Sequence, residues 1–88
     1  MAVEIGPGRG ALILRTGPDW SDREIELGRV EDPQWRTHVA VRERQLPGGS
    51  VYAALFGSLA AGTYRVTGTS QLVNVAEAVV NEVDLAAG

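Results

Sequence analysis

Arg36-Thr37-His38-Val39-Ala40-Val41-Arg42-Glu43-Arg44 runs into Leu46-Pro47-Gly48-Gly49-Ser50 and then into Val51-Tyr52-Ala53-Ala54-Leu55-Phe56. The first segment alternates, with Val39 and Val41 on one side and Ala40, Arg42 and Arg44 on the other. Period two is the signature of a half-buried strand. In the middle segment proline presets its own φ and glycine supplies a positive φ, the chemistry of a hairpin turn. The third segment is the return strand. Strand, turn, strand is therefore the expected local fold.

The same rhythm extends outward in both directions. Turn signals recur at Gly6-Pro7-Gly8, Gly17-Pro18-Asp19, Glu31-Asp32-Pro33, Ala61-Gly62 and Gly68-Thr69-Ser70. Between them lie short segments rich in Val, Ile, Leu, Thr and Tyr, the pattern of an all-β sandwich or barrel. Ala11–Thr16 reads as a strand with apolar residues on both faces. Arg23–Val30 places Ile25 and Leu27 inward and Glu24 and Glu26 outward. Thr63–Thr67 places Tyr64 and Val66 inward. Leu72–Val75 and Val79–Leu85 read as a final hairpin, because five valines lie between positions 73 and 83. Leu72, Val75, Val79 and Val83 also fall at helical spacing, so a helix is the alternative there.

Eighty-eight residues make one domain with a thin core. The expectation is a single all-β domain over residues 1–88, a two-sheet Ig-like sandwich of about seven strands, with residues 1–10 as a flexible lead-in. A β-barrel with a C-terminal helix is the runner-up. The composition, 44% hydrophobic and 22% charged, is that of a globular domain and excludes global disorder. No apolar run is long enough to span a bilayer. No basic and apolar leader is present, and the initiator methionine with its quick entry into a strand points to a small cytoplasmic protein; a mature secreted fragment stays open.

All eight basic residues are arginine, and cysteine is absent. Thiol nucleophiles, thiolate metal sites, disulfides and lysine Schiff bases are thereby excluded. The net charge of -3 argues against nucleic-acid binding by counterion release.

The segment Leu59-Ala60-Ala61-Gly62-Thr63-Tyr64-Arg65-Val66 resembles the Leu-x-x-Gly-x-Tyr-x-Val stretch of carboxypeptidase-regulatory-like and collagen-adhesin B-type domains. The resemblance implies a prealbumin-like sandwich of seven strands. It further implies a corner at the glycine, a buried tyrosine ring and a hydroxyl that reaches the backbone. The isopeptide bond of many adhesin domains needs a lysine, so the simpler accessory module is the form implied here.

The chemistry-bearing residues are few. His38 stands without a Gly-x-Ser-x-Gly partner for Ser21, Ser50, Ser58 or Ser70, so it reads as a strand histidine and no catalytic residue is assigned. Asp19, Asp22, Glu24 and Glu26 match no EF-hand spacing and read as solvated charge, so no metal or other cofactor is expected. Gly6-Pro7-Gly8-Arg9-Gly10 precedes a strand, not a helix, and lacks a phosphate-loop context. Trp20 and Trp35 flank turns, where they either close the ends of the sandwich or stack on a carbohydrate or other small ligand.

The apolar excess carries more. Ala11–Leu14 and Val51–Phe56 are apolar on both faces, and a two-layer sandwich buries one face of each sheet. The second face is covered by the chain itself, by a second copy or by a partner protein. The expected function is a non-catalytic accessory or interaction module, with a surface drawn from Tyr52, Phe56, Leu12, Leu14 and Trp35. A ligand-binding module using Trp20 and Trp35 is the alternative, and a small enzyme centred on His38 the third reading.

Overall fold

A computed structural model describes residues 7–85. Among them eight strands run in chain order: β1 (Arg9–Thr16), β2 (Glu24–Arg29), β3 (Arg36–Ala40), β4 (Arg42–Leu46), β5 (Gly49–Ala60), β6 (Gly62–Val66), β7 (Leu72–Val75) and β8 (Val80–Asp84). A short 3-10 turn, Pro18–Trp20, links β1 to β2. The strands form two four-stranded sheets, which we call sheet A (order β4-β5-β1-β8) and sheet B (β3-β2-β6-β7). The protein is thus an all-β two-sheet sandwich, a slab with principal extents of 36 × 33 × 16 Å.

The core lies between the sheets. Leu12, Leu14, Ala54, Phe56 and Leu59 face inward from sheet A, and Ile25, Leu27, Tyr64, Val66, Val73 and Val75 from sheet B. Trp20 and Trp35 pack against this cluster as partly buried lids. No helix among the described residues is long and apolar enough to cross a membrane.

Two strand expectations change. The segment Arg36–Arg44 is not one strand. It breaks at Val41, which is fully buried and marks where the chain leaves sheet B for sheet A. Val41 exchanges backbone hydrogen bonds with the β1–β2 connection, its N–H donating to Arg23 (2.8 Å) and its carbonyl accepting from Asp22 (2.9 Å). The alternation survives the bend, so sequence periodicity gave no sign of it. This break raises the strand count from seven to eight.

The C-terminal segments are strands, but they form no hairpin. β7 pairs antiparallel with β6 in sheet B, whereas β8 crosses to sheet A and lies parallel to β1. Asn81 fastens this crossover: its amide nitrogen donates to the Ala11 carbonyl (2.9 Å) and its amide oxygen accepts from the Ala76 N–H (3.2 Å). The helical alternative, and with it the runner-up fold with a C-terminal helix, is excluded.

Of the expected lead-in, residues 1–6 lie outside the described residues. Gly8 is anchored by a hydrogen bond from its N–H to the Glu77 carboxylate, and Arg9 and Gly10 already belong to β1.

The Pro47-Gly48 turn joins β4 to β5 as expected, with Leu46 opposite Gly49. The tyrosine corner also forms. Tyr64 is fully buried and its hydroxyl donates to the Ala60 carbonyl at 2.5 Å. The bend between them uses Gly62 at φ +150°, a conformation that side chains disfavour.

Gly10 marks a close approach of β1 to the β7–β8 connection. A Cβ there would collide with the Ala76 carbonyl oxygen, a backbone atom that cannot yield. A Cβ at Gly28 would instead meet the Arg36 guanidinium at 2.9 Å, the far end of a flexible side chain. Gly10→Ala is therefore expected to cost about 3 kcal/mol through overpacking, and Gly28→Ala less than about 1 kcal/mol because alanine also favours the strand. Denaturant unfolding of both variants checks this; equal losses would contradict the packing argument.

Candidate interaction surface

The two outer faces of the sandwich differ in their balance of charge and apolar surface. On sheet B, β2 and β3 turn Glu24, Glu26, Arg36 and His38 to solvent. Glu26 pairs with Arg36 at 3.6 Å, and Glu24 approaches His38 Nδ1 at 2.9 Å, both across exposed side chains. That is the polar exterior an antiparallel sheet ordinarily presents, interrupted toward the β7 edge by Leu72, which lies exposed beside Arg65.

Sheet A breaks that rule. The strand register sets its outer rows. Arg42, Ala53, Arg15 and Asp84 lie side by side across all four strands. The next row carries Leu55, Ile13 and Glu82, and on the other side Arg44 stands beside Val51. The centre of the face is apolar along β5 and β1 and open to water: Leu55 is 53% exposed beside half-buried Ile13, Val51 is 39% exposed beyond the row of Ala53 and Arg15, and Leu46, 48% exposed, ends β4 at the hairpin turn. Ile13, Val39, Leu46, Val51 and Leu55 line a groove of about 660 Å³ on this side of the slab.

Charge is segregated around that centre. Arg42 and Arg44 stand on β4, at one edge. Glu82 and Asp84 stand on β8, at the other. Arg15 sits beside β8, with Nε 2.9 Å from Asp84 and Nη1 3.5 Å from Glu82. Arg42 approaches Asp22 at 3.5 Å, with both side chains more than three-quarters exposed. Exposed pairs of this kind contribute little to stability.

The residues expected to form the surface divide by parity. Leu12, Leu14 and Phe56 are buried in the core at 0%, 0% and 3% exposure and offer nothing to a partner. Tyr52 and Trp35 are half-buried and pack on the core. The outward apolar residues are their neighbours: Ile13, half-buried, and Val51 and Leu55, exposed. Arg15 carries the signal that sets this parity: a charged residue turns to water, which places Ile13 outward with it and Leu12 and Leu14 inward. In β5 the large rings at 52 and 56 take the core side for the same reason that aromatics dominate cores.

The tryptophans do not share a platform. Trp20 and Trp35 lie beyond opposite ends of β2, a strand of six residues that spans about 20 Å. The Arg23 guanidinium stacks over the Trp20 ring at 4.3 Å, and the Trp35 ring packs against Tyr64 with centroids 5.5 Å apart. Each closes one end of the core.

His38 meets Glu24 and no serine. Ser50 donates to Glu43 (2.7 Å), and Ser58 accepts from Arg9 (2.6 Å). Among the described residues no three of His, Cys, Asp or Glu converge to hold a metal ion. Asp22, Glu24 and Glu26 each face a basic side chain instead.

No family model, no curated protein and no solved structure matches this chain.

The Tyr64 phenol is shifted in its pKa. Burial raises it above the usual phenol value of 10.0, against opposing pulls from the Arg29 and Arg9 guanidinium groups and with a small further push from Glu31. A raised folded-state pKa disfavours the phenolate in the native protein. Tyr64 therefore leaves stability unchanged below the unfolded pKa and costs stability as pH rises above it. Tyr64→Phe is expected to lose about 1 kcal/mol at neutral pH with its hydrogen bond and to show a flatter decline above pH ~10 than the wild type. Denaturant unfolding of both proteins across alkaline pH measures the difference; parallel curves would contradict the assignment.

Proposed function

We propose that the protein is a non-catalytic interaction module that docks a folded protein surface on the outer face of sheet A. The observation that carries this reading is the contrast between the two outer faces. Sheet B presents paired charge on β2 and β3 with one exposed leucine, Leu72, at its β7 edge, while sheet A presents exposed Leu55 beside Ile13 and exposed Val51 and Leu46 toward the β4–β5 turn. Contiguous exposed apolar surface rimmed by charge is the mark of a protein-binding site. The partner surface must be apolar at its centre and carry acidic groups toward β4 and basic groups toward β8.

The resemblance of Leu59–Val66 to carboxypeptidase-regulatory-like domains, and the tyrosine corner formed there, support an accessory role of this kind. They speak to architecture more than to function. The separated tryptophans and the exposed, serine-free surroundings of His38 lend no comparable support to ligand binding or catalysis.

Site-directed photo-crosslinking tests the proposal. A benzophenone amino acid replaces Leu55 in one variant and Arg65, on the outer face of sheet B, in another. Irradiation in the native host is expected to give a discrete protein adduct from position 55 and none from 65. Absence of an adduct at 55, or equal labelling at both positions, would overturn the reading.

A further inference from the structure

Resting on that reading, we infer that the partner is a second copy of this chain, packed face to face through sheet A. The symmetry axis then runs along the strands. The argument is one of charge order. A two-fold axis relating two sheets packed face to face lies in the interface plane, so it runs either along the strands or across them.

An axis across the strands superposes each β4 on the partner's β4. Arg42 and Arg44 would then face their own copies, and Glu82 and Asp84 would do the same. Like charges across an interface disfavour that arrangement. An axis along the strands, between β5 and β1, reverses the strand order of the second sheet. β4 then lies over β8 of the other copy, and β5 over β1.

The register makes the second arrangement self-complementary. Arg42 and Asp84 occupy the two ends of one row, Arg42-Ala53-Arg15-Asp84, about 14 Å apart at ordinary strand spacing. Reversing the row places each Arg42 over the other copy's Asp84. The next row places each Leu55 over the other copy's Ile13. The contact is thus apolar where Leu55 meets Ile13, sets Arg15 of each copy over the other's Ala53 beside the axis, and is ionic at both rims.

Arg15, the charge nearest the centre, does not oppose this packing. It already lies against Asp84 and Glu82, and the added Arg42 extends that set to a four-membered network. Arg42 exchanges its loose contact with Asp22 for one in a drier setting. The broad face of a 36 × 33 Å slab has room for the ~800 Å² per partner of a standard interface. The aligned packing of twisted sheets, about 30° between strand directions, suits this symmetry.

Sedimentation equilibrium on four proteins tests the inference: wild type, Arg42→Asp, Asp84→Arg and the double variant. Circular dichroism first establishes that each is folded, as expected for substitutions at exposed sites. The wild type is expected to dimerise, to twice its 9.3 kDa. Each single reversal sets two like-charge contacts in the dimer and is expected to raise Kd roughly 10- to 100-fold.

Mixing the two single variants restores both rims. At one rim the new carboxylate of the Arg42→Asp chain meets the new guanidinium of the Asp84→Arg chain. At the other rim the unchanged Asp84 of the first chain meets the unchanged Arg42 of the second. The mixture is therefore expected to heterodimerise. The double variant is expected to self-associate like the wild type. A wild type that stays monomeric up to ~1 mM, or a dimer indifferent to both reversals, would overturn the inference. So would a dimer that survives Leu55→Arg. The photo-crosslink separates the two levels of the argument. A Leu55 adduct with a different protein leaves the interaction face standing and removes the second copy, whereas no adduct removes both.

Discussion

Strand β1 is paired on both edges, antiparallel to β5 and parallel to β8, so its register has no freedom. A slip by one residue would bring Arg15 into the core and push Leu12 and Leu14 into water. With the register set, Ile13 must face outward, and the β5 partner opposite it, Leu55, must do the same. The exposed apolar face is a geometric consequence of satisfying the core. Four consecutive apolar residues at Ala11–Leu14 cannot all be buried by a single opposing sheet.

Sheet B supplies the control within the same molecule. Its strand β2 places Ile25 and Leu27 inward and Glu24 and Glu26 outward. The fold therefore does not require an apolar exterior. The slab is only 16 Å thick, and its buried core comes to twelve of the described residues. Leucine, isoleucine and valine placed on the outside contribute nothing to that core, and they raise the risk of non-specific association. Lining that face with arginine at one edge and carboxylates at the other limits which surfaces can dock on it.

Much of the fold was legible in local chemistry. The Pro47-Gly48 turn, the alternation of β2 and β6 and the tyrosine corner at Gly62-Thr63-Tyr64 each depend on residues close in sequence. The two departures share a different cause. At Val41 and between Val75 and Val80 the chain changes sheets, and both choices are made by distant partners. Val41 is held by Arg23 and Asp22 from the β1–β2 connection, and Asn81 by Ala11 at the opposite end of the chain. Period-two patterning shows which side faces the core, but it does not show which sheet supplies that side. The surface was legible in the same partial way. The apolar excess in Ala11–Leu14 and Val51–Phe56 was visible, while its outward members could be separated only through the parity that Arg15 imposes.

The crossover also shapes the candidate surface. Had β7 and β8 formed a hairpin in sheet B, β1 would end sheet A as a bare edge, with Arg15 unaccompanied beside the apolar centre. By crossing to lie parallel to β1, β8 covers that edge and brings Glu82 and Asp84 onto the outer face. Closure of the sheet and the acidic rim thus have one origin. The basic rim has another, the sheet change at Val41 that carries Arg42 and Arg44 over to sheet A as β4. Both changes of sheet place charge at the margins of the apolar face, and of opposite sign at its two edges. An ordered charge pattern of that kind discriminates among docking orientations, which a uniformly apolar face cannot do.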